Sequence, residues 1–379
     1  PDEAYLDIFD ALCIGEGENA LLEIADKLEE QADISTVSNL WVKQNGQIIK
    51  NKTRGFIQNL DALPFVDRDI WQPLIFDQNT RLTILLGRGC PYNCTYCCNH
   101  KIREAATGKY VRMRSAEHII AEMKYLTSKF PAITEYFLEI ETLGANIDWL
   151  LVLCDQLYLF NESLENKLSF SANLRIHDNS DLDLIFSNLK KANFESVIIG
   201  LESGNERIRK EILNRQYSNE TILRTVESAR EHDIKVGIFN LIGIPTESLN
   251  DFKDTLRLNQ QLQPDWHATS IFFPYKGTVL YDIANEQGLL PEKLNFKDER
   301  QHAVLDLPQF SRRCIQKQFD SFHYNVYKTY KNRSSLKTIL FWIQKILGHN
   351  FMANSKNRLT VILYRLKFRN NFLNIIQKI

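Results

Sequence analysis

Hydrophobic positions follow two different periods in the central part of this chain, and the two periods alternate. Short apolar runs predict strands at about 81–86, 134–140, 167–173, 195–201, 234–241 and 267–273. Between them, for example at 119–126 and 222–229, apolar residues recur every three or four positions, as in amphipathic helices. This alternation predicts an α/β fold with a parallel sheet and helices outside it. Six such units predict a partial (β/α)6 TIM-like barrel, in which chemistry gathers at the carboxyl ends of the strands.

The first 75 residues show a different pattern. After Gly15-Glu16-Gly17-Glu18 an amphipathic helix is predicted, with an apolar side made of Ala20, Leu21, Leu22, Ile24, Ala25 and Leu28. A hairpin is predicted around the turn Asn45-Gly46, and residues 60–65 have the character of an extended linker interrupted by Pro64. We therefore predict a domain end with its linker at 1–75, a core at 76–290, and a mostly helical region at 291–379.

The length and net charge of the chain indicate how many domains it can hold and which partners are expected. The chain has 379 residues and a formal net charge of −1, so it can hold one large domain and smaller ones. A near-neutral charge gives no reason to expect a nucleic-acid partner. We find no signal peptide and no apolar run of the ~20 residues that a spanning helix needs, so a cytoplasmic location is expected. Because the chain does not begin with Met, we also expect an N-terminal truncation.

Four of the seven cysteines crowd into residues 90–98, which indicates a metal site and a reducing compartment. The other three, Cys13, Cys154 and Cys314, are expected to be buried thiols that act as small hydrophobic residues.

The cysteine run has the spacing CxxxCxxC, formed by Cys90, Cys94 and Cys97, with Tyr96 directly before the last cysteine. Three thiolates on one short loop can bind three irons of a [4Fe–4S] cube and leave the fourth iron open to a small molecule. A zinc site would require a fourth ligand to complete its tetrahedron, and Cys98 or His100 could supply one. Cys98 is thus either a bystander or a ligand.

This motif resembles the signature of the radical S-adenosylmethionine (radical SAM) superfamily, and the resemblance extends from about Arg81 to Leu290. The chain is most similar to members that carry an N-terminal cobalamin-binding domain. The resemblance implies that SAM chelates the open iron and is reductively cleaved to methionine and a 5′-deoxyadenosyl radical, which abstracts hydrogen from the substrate. Cofactors would supply this chemistry, while the protein positions them.

The resemblance also implies a set of cofactor-binding residues: Tyr96, Glu139, Glu141, Asn173, Arg175, Glu202, Ser203, Arg215, Asn240 and Gly243. Glu139 and Glu141 would lie near the SAM amine, Glu202 would accept hydrogen bonds from the ribose, and Arg215 would bind the carboxylate. The chain lacks the Gly-Gly pair of the family's Gly-Gly-Glu stretch, so the two glutamates could also be solvated acids. Asn173 and Arg175 could equally have a structural role in their loop.

The segment Gly15–Glu18 resembles the late loop of a cobalamin-binding domain, which gives 1–75 its implied identity as the remnant of that Rossmann-like domain. The family's cobalt-ligating signature, Asp-x-His-x-x-Gly, is absent from the chain and would lie before residue 1. The implied cobalamin site is therefore incomplete here.

The last sixty residues are strongly basic, with no acidic residue after Asp320. Three interpretations remain open: helices that pack on the core, peripheral contact with an anionic membrane, and RNA contact.

The predicted function is a radical SAM enzyme, with cobalamin-dependent C-methylation first and an oxidative cyclase or rearrangement second. A small-molecule substrate and an electron donor such as flavodoxin or ferredoxin are the implied partners. An RNA-modifying enzyme and a non-catalytic metal-binding protein remain as alternatives from other classes.

Overall fold

The computed structural model describes residues 3–70 and 81–328. The strands are β1 (Ala11–Cys13), β2 (Leu40–Gln44), β3 (Gln47–Lys50), β4 (Arg81–Leu85), β5 (Gly87–Arg88), β6 (Arg112–Met113), β7 (Glu135–Leu143), β8 (Ser169–Leu174), β9 (Phe194–Glu202), β10 (Lys235–Ile242) and β11 (Trp266–Ile271). The helices are α1 (Glu18–Glu29), α2 (Asn99–Glu104), α3 (Ala116–Lys129), α4 (Ile147–Glu162), α5 (Leu182–Lys191), α6 (Asn219–Glu231), α7 (Leu249–Leu262), α8 (Val279–Glu286) and α9 (Arg312–Tyr327).

Six strands form one sheet in the order β11-β10-β9-β8-β7-β4. The pairs β4–β7, β7–β8 and β10–β11 are parallel, and a helix lies between successive strands in the chain. In β7 the side chains of Tyr136, Leu138 and Ile140 are almost completely buried, as expected for a strand covered by helices. Each of the six predicted strands is present within about three residues of its predicted ends, so the predicted α/β fold class is confirmed.

The N-terminal hairpin is also confirmed, but the predicted apolar side of α1 is wrong in part. Strands β2 and β3 pair antiparallel around Asn45-Gly46, with Gln44 opposite Gln47. In α1, Ala20 is buried in a small core with Val37, whereas Leu21, Leu22 and Leu28 are all more than 60% exposed. The small three-stranded sheet buries only one narrow side of the helix, and periodicity alone does not show how wide the covered side is.

Two of the three isolated thiols also depart from expectation. Cys154 is buried as predicted, but Cys13 is exposed and Cys314 is only half-buried. Cys13 ends a three-residue strand with little cover. Cys314 lies beside the buried stripe of α9, which is formed by Ile315, Phe319, Phe322 and Val326.

The described chain divides into two compact units. One comprises residues 3–70, 81–175 and 181–197, and the other comprises 176–180 and 198–328. Within these described residues, no helix is both long and apolar enough to cross a membrane. The basic segment from residue 329 onward lies outside the described residues, so its predicted roles stay predictions.

The turn after β10 encloses a carboxyl group. Glu247 is 1% exposed, and its Oε2 accepts hydrogen bonds from the backbone N–H groups of Gly243 at 2.7 Å and Ile244 at 3.3 Å. Burial raises the pKa of Glu247 to about 8, because an apolar environment disfavours the charged form. The carboxyl group is therefore mostly protonated at neutral pH.

Glu247→Gln should make the free energy of unfolding less dependent on pH. The folded-state pKa is raised, so the stabilising contribution of protonated Glu247 is complete below the ordinary value of 4.5 and is lost as pH rises through about 8. Glutamine has no proton to lose, so up to about 1.4 kcal/mol per pH unit of slope should disappear in this window. Urea unfolding from pH 5 to pH 8.5 measures it. Glu231→Gln, at an exposed position, is the control, and an unchanged slope in Glu247→Gln would contradict the assignment.

Candidate functional site

The cysteine loop follows the first strand of the large sheet, as the barrel rule predicts. Cys90 and Cys94 are buried, Cys97 is half-buried and Cys98 is exposed. The backbone N–H of Cys97 donates to the carbonyl oxygen of Cys94 at 3.1 Å, which closes a tight turn between these two cysteines. Tyr96, on the same loop, is half-buried.

Close packing fixes the base of this loop. Strands β5 and β6 form a short antiparallel ribbon directly before Cys90. A Cβ atom at Gly87 would lie 2.6 Å from the carbonyl oxygen of Arg112, and one at Gly89, where φ is +85°, would lie 2.4 Å from that of Tyr110. From α2, the Arg103 guanidinium donates to the Cys90 carbonyl oxygen at 2.8 Å. Because they lack a Cβ atom, Gly87 and Gly89 permit the close approach of their backbone to the segment 110–112.

The electrostatics of the loop favour a thiolate at Cys97. A hydrogen bond from the Cys98 thiol lowers the pKa of Cys97 to about 6; burial opposes the shift, and the backbone and side-chain amides of Asn99 assist it. Burial raises the pKa of the Cys90 thiol. Because iron binds thiolates and displaces their protons, the lowered pKa of Cys97 favours iron binding at this sulfur.

The side chains of Asn99 and Arg175 contact cysteine sulfurs, and neither contact was predicted from the sequence. Asn99 is buried; its Nδ2 lies 3.4 Å from the Cys97 sulfur, and its Oδ1 accepts a hydrogen bond from the Tyr110 hydroxyl. Nη1 of Arg175 lies 3.5 Å from the Cys94 sulfur, and the guanidinium stacks on the Tyr92 ring at 4.1 Å. The sequence offered one indication of the Asn99 contact, which is its position two residues after Cys97. Nothing in the sequence linked Arg175 to Cys94.

The donor set suits a cluster. Within residues 3–70 and 81–328, no group of three or more His, Cys, Asp or Glu side chains is arranged around a single metal ion. A [4Fe–4S] cube makes a different demand, because each thiolate binds a different iron and the three sulfurs stand apart. Donor groups directed at the sulfurs, here from Asn99 and Arg175, are typical of the surroundings of such clusters.

A cavity of about 420 Å³ adjoins the base of the cysteine loop. It is lined by the Gly15–Glu18 segment, by residues Gly87–Gly89, by Asn99, and by Glu139 and Glu141 of β7. Burial and the neighbouring Glu141 raise the pKa of Glu139. The structure thus brings both predicted β7 carboxylates to one cavity, and Asn173 lies half-buried near the end of β8.

In the second compact unit, Glu202 and Arg215 form an ion pair. Glu202 ends β9 with φ at +60°, and its Oε1 lies 3.4 Å from Nη1 of Arg215. Nη2 of Arg215 donates to the Gly200 carbonyl oxygen at 2.9 Å, and its Nε donates to the Tyr217 hydroxyl. A side chain at Gly200 would displace this pair, because its Cβ atom would lie 2.5 Å from Oε1 of Glu202.

Three other predicted ligands in this unit have bonds to the protein. Ser203 is fully buried; its hydroxyl accepts from the Asn205 N–H and lies 3.4 Å from the Thr255 hydroxyl. The Asn240 amide pairs with Asn259, which donates to Oδ1 of Asn240 at 2.7 Å. Gly243 donates its N–H to Glu247. The cofactor-binding roles of these residues stay predictions.

Comparison with protein families agrees with the geometry of the cysteine loop. Residues 84–258 match the sequence model of the Radical SAM superfamily. The segment 84–258 thus resembles a radical SAM domain. Such a domain implies a [4Fe–4S] cluster and SAM as cofactors, which Cys90, Cys94 and Cys97 fit, and the match supports the prediction of an enzyme.

Several curated proteins resemble a large part of the chain. An uncharacterized methyltransferase of Pyrococcus horikoshii is 26% identical over 284 residues, which are 74% of this chain and 59% of that protein. The anaerobic magnesium-protoporphyrin IX monomethyl ester cyclase of Cereibacter sphaeroides is 21% identical, over 73% of this chain and 45% of the cyclase. A tRNA-2-methylthio-N(6)-dimethylallyladenosine synthase of a Thermoanaerobacter species is 27% identical, over 56% of this chain and 45% of the synthase. The chain spans about half the length of these relatives.

Two solved structures share the fold. The radical SAM methyltransferase TsrM of Kitasatospora setae superposes with a TM-score of 0.56 at 18% identity, over 74% of this chain and 55% of TsrM. The cobalamin-dependent radical SAM enzyme OxsB superposes with a TM-score of 0.56 at 18% identity, over 76% of this chain and 41% of OxsB. At this identity the likeness concerns the fold alone, and it agrees with the predicted α/β core.

Cys98→Ala should raise the pKa of the Cys97 thiol above about 6, because the Cys98 hydrogen bond is the largest cause of its lowering. We expect the pH midpoint for alkylation of Cys97 in the metal-free protein to move upward, with several-fold slower alkylation at pH 7. Mass spectrometry of the peptide that contains Cys97 measures the rate.

Cys314→Ala, which removes a thiol from α9, is the matched control and should leave this midpoint unchanged. An unshifted midpoint in Cys98→Ala would show that Cys98 does not control the Cys97 thiol. A loss of iron binding in the same variant would identify Cys98 as a ligand.

Proposed function

We propose that the protein containing this chain is a cobalamin-dependent radical SAM methyltransferase that methylates a carbon atom of a small molecule. The observation that carries the proposal is the juxtaposition of the cysteine loop and the cavity that holds Glu139 and Glu141. The matched family domain supports the SAM chemistry. The Pyrococcus relative is described as a methyltransferase and TsrM is a radical SAM methyltransferase, which supports methyl transfer.

When bound, the [4Fe–4S] cluster supplies one electron for the reductive cleavage of SAM, which yields the radical that removes a substrate hydrogen atom. Cys90, Cys94 and Cys97 would hold three irons. Arg175 and Asn99 donate to two of these sulfurs and so reduce their negative charge. Glu139 and Glu141 would attract the SAM ammonium group. The family resemblance also implies that Glu202 would accept from the ribose hydroxyls and that Arg215 would bind the SAM carboxylate.

We further propose that residues 1–75 are the end of a cobalamin-binding domain followed by a linker, that 76–290 form the radical SAM core, and that 291–379 form a helical region. The position of Gly15–Glu18 at the cavity supports the first assignment. The OxsB and TsrM structures whose fold this chain shares were determined with bound cobalamin. Residues 1–379 do not contain the motif with the cobalt-ligating histidine, so we make no proposal for the ligand of the cobalt.

Oxidative cyclisation is the second candidate, because the Cereibacter cyclase resembles 73% of this chain. The resemblance to the tRNA synthase keeps RNA modification testable, although the chain's net charge of −1 favours a small-molecule substrate. Radical SAM enzymes require an electron source, and we propose flavodoxin or ferredoxin for that role.

The anaerobically reconstituted protein should release 5′-deoxyadenosine and methionine from SAM when a strong reductant is added. Cys97→Ala should lose at least about 100-fold of this activity, because the cluster would lack one of its three ligands. Mass spectrometry quantifies both products. Cys314→Ala should behave like the wild type, and full activity of Cys97→Ala would contradict the assignment of the cluster ligands.

SAM with a deuterated methyl group should separate the candidate reactions. The full-length protein, loaded with hydroxocobalamin, would be incubated with reductant and either a small-molecule extract of its host or total host tRNA. Methyl transfer predicts a deuterated methyl group in a small molecule. A product that has lost hydrogen without gaining label would support the cyclase, and label in tRNA would support RNA modification and refute our proposal.

A further inference from the structure

Two arginines face each other across the ribbon that carries the cysteine loop. Arg88 on β5 is directly opposite Arg112 on β6 in the antiparallel register. Arg112 is only 4% exposed, so water screens its charge poorly. Like charges at opposed positions of an antiparallel pair are destabilising, and burial makes the repulsion stronger. This ribbon therefore needs an anion between its two guanidinium groups.

Glu16 supplies that anion from the loop after β1. Its Oε1 accepts from Nη1 of Arg88 at 2.9 Å, and its Oε2 accepts from Nη1 of Arg112 at 2.9 Å. The same Oε2 accepts from the Ile57 N–H at 2.6 Å, while Nη1 of Arg112 also donates to the Ile57 carbonyl oxygen at 2.7 Å. One carboxylate thus joins both strands of the ribbon to the N-terminal segment.

The next acidic residue has a lesser role. Glu18 pairs with Arg88 alone, and its side chain is 37% exposed, whereas that of Glu16 is 14% exposed. Of these two glutamates, therefore, Glu16 is the one that bridges both arginines. Its loss would leave two cations facing each other at the base of the cysteine loop, two residues before Cys90.

We propose that Glu16 is a positioning residue, which holds the cysteine loop in its cluster-binding shape by neutralising Arg88 and Arg112 together. The proposal rests on the proposed function only in that the loop holds the cluster. It gives Gly15–Glu18 a role beyond its likeness to a cobalamin-domain loop. In this role, Gly15–Glu18 at the end of the predicted cobalamin-binding domain would set the geometry of the cysteine loop.

Glu16→Gln tests the proposal, because glutamine keeps the size and a hydrogen-bond acceptor but removes the charge. In the metal-free protein, we expect amide hydrogen exchange at residues 86–90 and 110–114 to become about 10-fold faster. In the loaded protein, a chelator should remove iron several-fold faster, and the electron paramagnetic resonance signal of the reduced cluster should broaden. Glu23→Gln is the matched control, since Glu23 pairs with Arg54 in the same N-terminal segment.

A double variant separates charge neutralisation from a simple structural bond. In Glu16→Gln/Arg88→Gln only one cation remains on the ribbon, so exchange and iron release should return most of the way to wild-type rates. If exchange and iron release are as fast in the double variant as in Glu16→Gln, the proposal is overturned, because Glu16 would then act only through its bond to Ile57. Unchanged exchange in Glu16→Gln would also overturn it.

Failure of this inference can be told apart from failure of the proposed function. Hydrogen exchange is measured without metal or SAM, so it reports on the ribbon even if the protein proves to have a different reaction. Conversely, Glu16→Gln could accelerate amide exchange in the ribbon as expected while the wild-type protein transfers no methyl group. That result would support the role of Glu16 and would contradict only the proposed reaction.

Discussion

Three thiolates can share one iron–sulfur cluster only if the loop that carries them has a defined shape, and in this protein that shape depends on a ribbon of two residues per strand. A ribbon so short has little stability of its own. It is held by the backbone contacts that Gly87 and Gly89 permit and by the charges around Arg112. The cavity adjoins this ribbon, and α2 bonds to Cys90 directly after it, so the site depends on the ribbon.

The charge arrangement also explains a polar interior near the cysteines. A buried guanidinium group is costly unless carboxylates and carbonyl groups surround it. Arg112 meets this requirement through Glu16 and the carbonyl oxygens of Tyr110 and Ile57. Glu16 and Ile57 are remote in sequence from Arg112, and each of these two contacts therefore ties a separate stretch of chain to the ribbon. The result is a site assembled from the N-terminal segment as well as from the core.

Sequence reasoning succeeded where local patterns suffice. The six strands could be predicted because parallel strands covered by helices are continuous apolar runs, and the cysteine loop because its spacing is itself the ligand pattern. It failed where exposure depends on distant packing: Leu21 and Leu22 have helical spacing, but the small sheet beside α1 does not cover them. The Arg175–Cys94 contact joins residues 81 positions apart, and no local pattern encodes such a pair.

The bonding state of the predicted ligands indicates which of them can hold a cofactor at low cost. Asn240 and Ser203 are buried and are already hydrogen-bonded within the protein. Glu139 differs from these two residues, because its burial and the neighbouring Glu141 both disfavour its negative charge and raise its pKa. A cation bound beside Glu139 would stabilise that charge. An approaching ammonium group therefore gains most at the end of β7. We accordingly expect the β7 carboxylates, rather than the buried amide and hydroxyl, to contribute most to the affinity for SAM.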